Sequence, residues 1–355
     1  MNLLLVVKLY KFTNLEESDF NSVKDSEYCI SSGVHNSSKF IVGMLRDQGF
    51  IVDIITITDD AEIHEHIKKY DTSLIIFEAF WISIASLDYL TKTYPDKKWI
   101  IRNHSNLPFL SQEGGTIELI LKYLKRDNVY IASISKRAFD DTIKLCSAMG
   151  QPNFKVLYLP TYYSVDNHNT LRSNKNDKFN VGCFGAIRPF KNHLTQAVAA
   201  IKYAHTHNKI LKFHINTNRV EDMGWGILEN LRGLFSNLDI TRYRLVEHGW
   251  LNHDDFLKLV STMDIGLQVS FTETFNIVAA DFVSQGIPIV VSKQIDWLPK
   301  NFVADPTDAN SIYFKMESLL NSNQEQSSTA FAFLKKNNES SINTWVETLG
   351  KLNNG

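Results

Sequence analysis

Two carboxylates, Glu273 and Asp281, stand eight residues apart in the chemically densest part of the chain, residues 270–292. An apolar run precedes Glu273 and a small-residue run follows it, so the segment reads as strand, loop and helix, with Asp281 about two helical turns beyond Glu273. Thr274, Phe275 and Asn276 complete the loop. A carboxylate at Glu273 can accept from sugar hydroxyls and one at Asp281 from a ribose. The unpaired N–H groups and positive dipole end of the helix start suit the phosphates between those two rings. The same two acids, taken alone, fit a loop carboxylate and a solvated helix residue equally well.

A second segment supplies cations. Gly182, Gly185, Arg188, Lys191 and Asn192 follow an apolar run and precede a helical one. Glycine lets the backbone approach a diphosphate, the Arg fork grips its oxygens and Lys adds a point charge. Gly249 and Trp250 close a further strand, where Trp250 also reads as core. In the first half, Gly33, with His35, Asn36 and Ser37 after it, joins the opening strands to a helix. Gly33 is there free to take a positive φ, and Asn36 and Ser37 are available to cap the helix. His104 and Ser105 follow the strand ending at Arg102, and Glu78 and Trp81 end the strand before it. His35, Glu78, Trp81, Arg102 and Ser105 are therefore expected on the acceptor side. His104 reads as facing the ligand or as a satisfied structural histidine.

The elements that must position these residues come in two series. Runs at 3–9, 51–57, 74–77, 99–102, 129–134 and 155–159 read as strands, with longer amphipathic stretches between them. One such helix, 36–48, stops at Gly49. After a polar stretch at 161–177, the rhythm restarts with strands at 179–184, 211–215, 243–246, 265–269 and 288–291 and helices at 193–205 and 256–262. Repeated β-α-β units predict an α/β protein with two Rossmann-like doubly wound domains facing a central cleft. The expected divisions are 1–165 and 166–330, with 331–355 as a helix returning to the first domain.

Segment 270–292 resembles the Glu-x7-Glu signature of retaining GT-B glycosyltransferases of the family-4 type. The apolar strand, Ser-x-x-Glu loop, small-residue helix and Gly-x-Pro-x-Val occur in the family's order, with Asp281 in place of the second Glu. Residues 182–192 are similar to the family's Gly-Arg-x-x-x-x-Lys-Asn element, with the Arg displaced along the loop. The resemblance implies that Glu273 contacts the donor sugar, Asp281 the ribose, Arg188 and Lys191 the diphosphate, and Gly249 and Trp250 the base. It also implies that Gly33 faces the donor phosphates and acceptor, and that His104 touches the transferred ring. His104, Glu273, Arg188 and Lys191 are then the catalytic set, and Gly185, Thr274, Phe275 and Asn276 complete the donor site. The implied reaction is transfer from a UDP-sugar with retention, by front-face attack assisted by the leaving phosphate, without a metal or other cofactor.

The strings around Gly33, Glu78 and His104 also look like those of glycosyltransferases of large tailed bacteriophages, over roughly residues 30–135. That likeness implies a DNA acceptor bearing 5-hydroxymethylcytosine, with Lys8, Lys11, Lys136, Arg137 and Lys144 available to phosphates. Scattered lysines are also what any solvated surface carries. A cell-surface glycan or lipid-linked acceptor, or a non-catalytic nucleotide-sugar or carbohydrate binder, remain alternatives. Oligomeric state is left open. A net charge of -2 excludes a whole-molecule basic field. The 44% hydrophobic and 21% charged residues exclude a disordered chain. The apolar opening is too short to span a bilayer and has no basic start for secretion, so no stable membrane association is expected. Three widely spaced cysteines, Cys29, Cys146 and Cys183, read as reduced thiols in a cytoplasm.

Overall fold

The computed structural model describes residues 2–8, 33–112, 114–165, 178–221 and 223–354. Lys11, Cys29, Ser32, Glu113 and residues 166–177 of the expected linker lie outside the described residues. The chain divides into two compact units, Met1–Ser164 with Ser340–Gly355, and Val165–Glu339.

In the first unit the chain runs β1 (Asn2–Lys8), α1 (Gly33–Asp47), β2 (Ile51–Ile57), α2 (Ile63–Lys69), β3 (Leu74–Glu78), α3 (Ile84–Thr93) and β4 (Lys98–Asn103). It continues through α4 (Leu107–Leu110), α5 (Thr116–Leu124), β5 (Val129–Ser133), α6 (Lys136–Ala148) and β6 (Val156–Tyr158). Among the described residues the strands form one sheet, ordered β2-β1-β3-β4-β5-β6, and every pairing is parallel. Because side chains alternate across a strand, Leu4 and Val6 enter one core and Leu3 and Leu5 another, so β1 is buried on both faces. That double burial is why its sequence reads as a continuous apolar run.

The second unit runs β7 (Lys178–Gly182), α7 (His193–Thr206), β8 (Ile210–Asn216), α8 (Trp225–Ser236), β9 (Tyr243–His248) and α9 (His253–Val260). Then come β10 (Ile265–Gln268), α10 (Ile277–Ser284), β11 (Ile289–Val291), α11 (Ala309–Asn321) and α12 (Asn323–Asn354). Its parallel sheet is ordered β11-β10-β7-β8-β9. The last part of α12 belongs to the first unit, where Trp345, Leu349 and Leu352 join the core containing Leu3, Leu5 and Ile41. No helix among the described residues is long and apolar enough to cross a membrane.

Both sheets reverse direction of growth at their first strand. The chain leaves β7 toward β8 and β9 on one side and later returns to β10 and β11 on the other. Such a switch point opens a crevice outside the carboxyl ends of the two central strands, between the β7 and β10 loops. Two glycines bring α10 down onto this part of the sheet. Gly182 and Gly266 are register partners on β7 and β10, and a Cβ on either would stand 2.7 Å from the Phe282 ring. Only bare backbone leaves room for that ring, which thereby fixes the helix that begins after the Glu273 loop.

Candidate functional site

The loop after β7 carries Gly185, Arg188 and Lys191, and the loop after β10 carries Glu273. Across the switch point, the Lys191 ammonium forms an ion pair with the Glu273 carboxylate, with side chains 12% and 8% exposed. Neighbouring bonds hold the two loops together. Phe271 N–H donates to Phe190 O at 2.9 Å, and Asn192 Nδ2 donates to Val269 O at 3.0 Å and Pro306 O at 2.7 Å. Gln196 donates to Lys191 O at 2.8 Å and accepts from Val269 N–H at 2.8 Å. Lys191 is thus anchored from backbone and side chain alike.

Asn192 (φ 59°) and Asn276 (φ 62°) both occupy the left-handed region, at the entries to α7 and α10. Asn tolerates this conformation better than most residues. Asn276 also caps α10 by accepting from Ala279 N–H at 2.8 Å and donates to Gln268 Oε1 at 2.9 Å. Phe275 stacks on Trp297, whose Nε1 donates to Phe275 O at 2.7 Å, and half-buried Thr274 completes the loop.

Gly185 is buried with φ 120°, and a Cβ there would stand 3.8 Å from Lys191 Cε and 4.0 Å from Nζ. Its N–H donates to Asn216 Oδ1 at 3.1 Å, and Asn216 Nδ2 donates to Gly249 O at 3.2 Å. One side chain at the end of β8 therefore ties the expected diphosphate loop to the expected base loop. Trp250 is half-buried with the Arg219 guanidinium 5.3 Å from its ring centre. Arg188 lies 3.4 Å from Glu221, which Arg219 also contacts.

Asp281 is 2% exposed, which rules out the solvated-helix alternative. His253 Nε2 lies 2.8 Å from its Oδ1. Burial opposes charge on the His253 ring, but the bond and charge of Asp281, reinforced by Asp254, outweigh it and raise the His253 pKa. Ser270 Oγ, Thr272 Oγ1 and both ring nitrogens of His193 are buried with no hydrogen-bond partner among the described residues. Burial and the charges of Lys191 and Arg188 push His193 down to about 3, so its ring is neutral. Buried polar atoms are ordinarily paired. Here Ser270 and Thr272 share the loop of Glu273, and His193 opens the helix after Lys191. Cys183, at the end of β7, is pushed up to about 12 by burial, against the opposing charge of Lys191.

The first unit corrects three expectations. Glu78 and Arg102, expected to touch an acceptor, are 1% and 0% exposed. They are register partners on β3 and β4, so their side chains share one face of the sheet. Arg102 Nη1 donates to both Glu78 oxygens at 3.0 and 3.2 Å, Nε to Leu159 O at 3.1 Å and Nη2 to Pro160 O at 3.3 Å. A pair so enclosed has no surface for an acceptor. Gly33 is an exposed residue and the first of α1, which starts earlier than residue 36. For the same reason Asn36 and Ser37 lie within that helix and do not precede it, and Ser37 is buried.

His104 is half-buried, and its Nε2 lies 2.5 Å from Glu78 Oε2. Ser105 is held by the Asn103 amide, donating from N–H at 2.8 Å and accepting at its carbonyl at 2.9 Å. Trp81 Nε1 donates to Glu78 O at 2.7 Å, and Lys8 Nζ lies 5.6 Å from its ring. His35 lies half-buried on α1, where burial and then Lys39 lower its pKa. No group of three or more His, Cys, Asp or Glu among the described residues is placed to hold a metal.

Asn216, His193, Thr272 and His253 escape the sequence reading, and Ser270 enters it only as the first residue of the Ser-x-x-Glu loop. Asn216 alone carried a signal, as an amide closing a buried strand.

No protein-family model matches the chain, and no curated protein does. Solved structures share its architecture. Sucrose-phosphate synthase from Thermosynechococcus elongatus superposes with a TM-score of 0.69 at 13% identity, covering 99% of each chain. A UDP-forming α,α-trehalose-phosphate synthase from Burkholderia xenovorans gives 0.65 at 13% identity, over 98% of this chain and 99% of its own. A glycosyltransferase from Rickettsia africae gives 0.62 at 13% identity, over 98% and 97%. At these identities the likeness is one of fold, and the fold is GT-B, with two Rossmann-like parallel-sheet domains.

Proposed function

We propose that this chain is a glycosyltransferase that moves a sugar from a UDP-sugar to an acceptor hydroxyl with retention of configuration. The observation that carries the reading is the Lys191–Glu273 pair at the switch point of the second sheet. A cation for phosphate and a carboxylate for sugar hydroxyls meet there, and the buried hydroxyls of Ser270 and Thr272 on the same loop have no hydrogen-bond partner among the described residues. A bound diphosphate supplies acceptors for Lys191 and for those hydroxyls, releasing Glu273 to the sugar. In the reaction the C1–O bond to the β-phosphate breaks and a bond from the acceptor oxygen to C1 forms. The acceptor proton passes to the departing phosphate, whose growing charge Lys191, Arg188 and the start of α10 stabilise. Asp281, steadied by His253, is assigned to the ribose, and the Gly249–Trp250 loop to the base.

For the acceptor, the likeness of the first-unit strings to phage enzymes supports 5-hydroxymethylcytosine in DNA, in a host cytoplasm. A basic stripe on α6 adds little support, because Lys136 pairs with Asp140 at 2.6 Å and Asp141 follows. A second reading, a sugar phosphate, is favoured by the products for which two of the similar structures are named. Purified protein incubated with a panel of UDP-sugars is expected to release UDP, and Lys191→Ala and Glu273→Ala to lose that release. Mass spectrometry of hydroxymethylcytosine DNA and of a hexose phosphate from the same reactions separates the acceptors. Intact UDP-sugars under all conditions would sink the enzyme reading and leave a binding protein.

A further inference from the structure

We propose that Glu221 is a positioning residue for the donor: with one carboxylate oxygen on Arg219 and the other on Arg188, it aims the Arg188 guanidinium at the nucleotide diphosphate. The inference rests on the transferase reading above and deepens it, and every residue it uses lies in the second unit.

The backbone brings these side chains together. Ile187 pairs in parallel with Val220: its N–H donates to Arg219 O at 2.9 Å, and Glu221 N–H donates to Ile187 O at 3.0 Å. Arg188 and Glu221 each follow directly on that pair, so they leave it side by side. Gly224 makes the approach possible. It closes a turn by donating to Glu221 O at 2.9 Å, and a Cβ on it would stand 2.1 Å from Ile187 O. Any larger residue there would push the 219–221 segment off the Arg188 loop.

Glu221 Oε2 accepts from Arg188 Nη1 at 3.4 Å, and Oε1 accepts from Arg219 Nε in the closer contact. The Arg219 guanidinium is itself held by its cation–π contact, 5.3 Å from the Trp250 ring centre. An ionised carboxylate serves both guanidiniums because both of its oxygens accept, and its charge offsets the repulsion between the two cations. A guanidinium carries five N–H groups, so one bonded to a carboxylate can still fork onto phosphate oxygens. The Arg188 and Glu221 side chains are 23% and 26% exposed, and a pair so open to water adds little to stability. Its larger consequence is the direction it gives Arg188. That residue needs a holder, since it stands nearer Lys191 than the Arg of the element it resembles and starts from another point on the loop.

The test is titration calorimetry of UDP on the full chain, with wild type, Glu221→Gln, Arg188→Ala and the double variant forming a cycle. An amide has one oxygen, and the closer contact of Arg219 claims it, so in Glu221→Gln the NH2 group turns toward Arg188 and drives the guanidinium away. UDP affinity should fall about tenfold, and at least as far in Arg188→Ala. The melting temperature of Glu221→Gln should stay within about 4 °C of wild type. In the Arg188→Ala background the same substitution should change affinity by less than about twofold, because Glu221 acts through Arg188, whereas a merely structural role would lower it equally in both. Glu221→Asp keeps two accepting oxygens and should recover most of the affinity, and it decides the matter if Glu221→Gln fails to fold. Unchanged or tighter UDP binding in Glu221→Gln, or equal losses with and without Arg188, overturns the positioning role. A wild type that binds no UDP overturns the transferase reading instead, and the aim of Arg188 with it.

Discussion

Replacing Lys191 by Met leaves the Glu273 carboxylate 8% exposed without its cation. At the roughly 2.8 Å of a charge-assisted bond and an effective dielectric near 20, the Coulomb attraction is about 6 kcal/mol. Desolvation of both ions offsets much of this, and removing one partner of a buried pair costs about 3–5 kcal/mol. Because Lys191 keeps 12% exposure, water reaches the site and the lower end, about 3 kcal/mol, applies. For a unit of this size that lowers its melting temperature by roughly 6–12 °C. Glu273→Gln should cost less, since the amide oxygen can still accept from Lys191. The double variant Lys191→Met/Glu273→Leu should recover most of the loss, as both charges leave together. Urea unfolding of the wild type, Lys191→Met, Glu273→Leu and the double variant forms a double-mutant cycle, with a coupling energy of about 2 kcal/mol expected. Coupling below about 0.5 kcal/mol, within the error of additivity, would refute the claim that these side chains act as one buried unit.

Three further outcomes follow from the same geometry. Gly266→Ala should destabilise the protein by about 1–3 kcal/mol, because its Cβ falls 2.7 Å from the Phe282 ring, and Phe282→Leu should partly relieve it in thermal unfolding. Gly185→Ala forces a side chain onto φ 120° and so strains the loop that carries Arg188 and Lys191, and titration calorimetry should show UDP binding weakened about tenfold or more, ~1.4 kcal/mol; unchanged affinity would remove Gly185 from the site. The raised pKa of His253 means that its pairing with Asp281 stabilises the fold fully below the ordinary value of 6.5 and loses that contribution as pH rises through the raised one. The melting-temperature gap between wild type and His253→Gln should therefore be widest at acid pH and narrow in alkali, and a gap that widens with pH would contradict the assignment.

Much of the fold was legible because doubly covered parallel strands are apolar throughout, and β2 coincides with its expected span, Ile51–Ile57. Strand ends were not. β3 extends to Glu78 because its register partner Arg102 neutralises it inside the sheet, whereas in sequence a carboxylate after an apolar run signals a loop. α9 begins at His253, three residues before the apolar run suggested, since Asn252 caps it by accepting from Asp255 N–H at 2.9 Å. That cap was readable from its Asn and the acids after it. At the site, Lys191 and Glu273 are 82 residues apart, so no local spacing joins them, and motif resemblance alone brought them into one expected site. Glu78 and Arg102 were named residue by residue but placed facing the cleft, because burial of paired charges depends on register, and no periodicity reports it.

The most direct test is a crystal structure of the protein with UDP bound. The nucleotide's diphosphate should contact Lys191 Nζ and the hydroxyls of Ser270 and Thr272, with Glu273 released from Lys191. A diphosphate bound elsewhere, with the Lys191–Glu273 pair intact, would contradict the account.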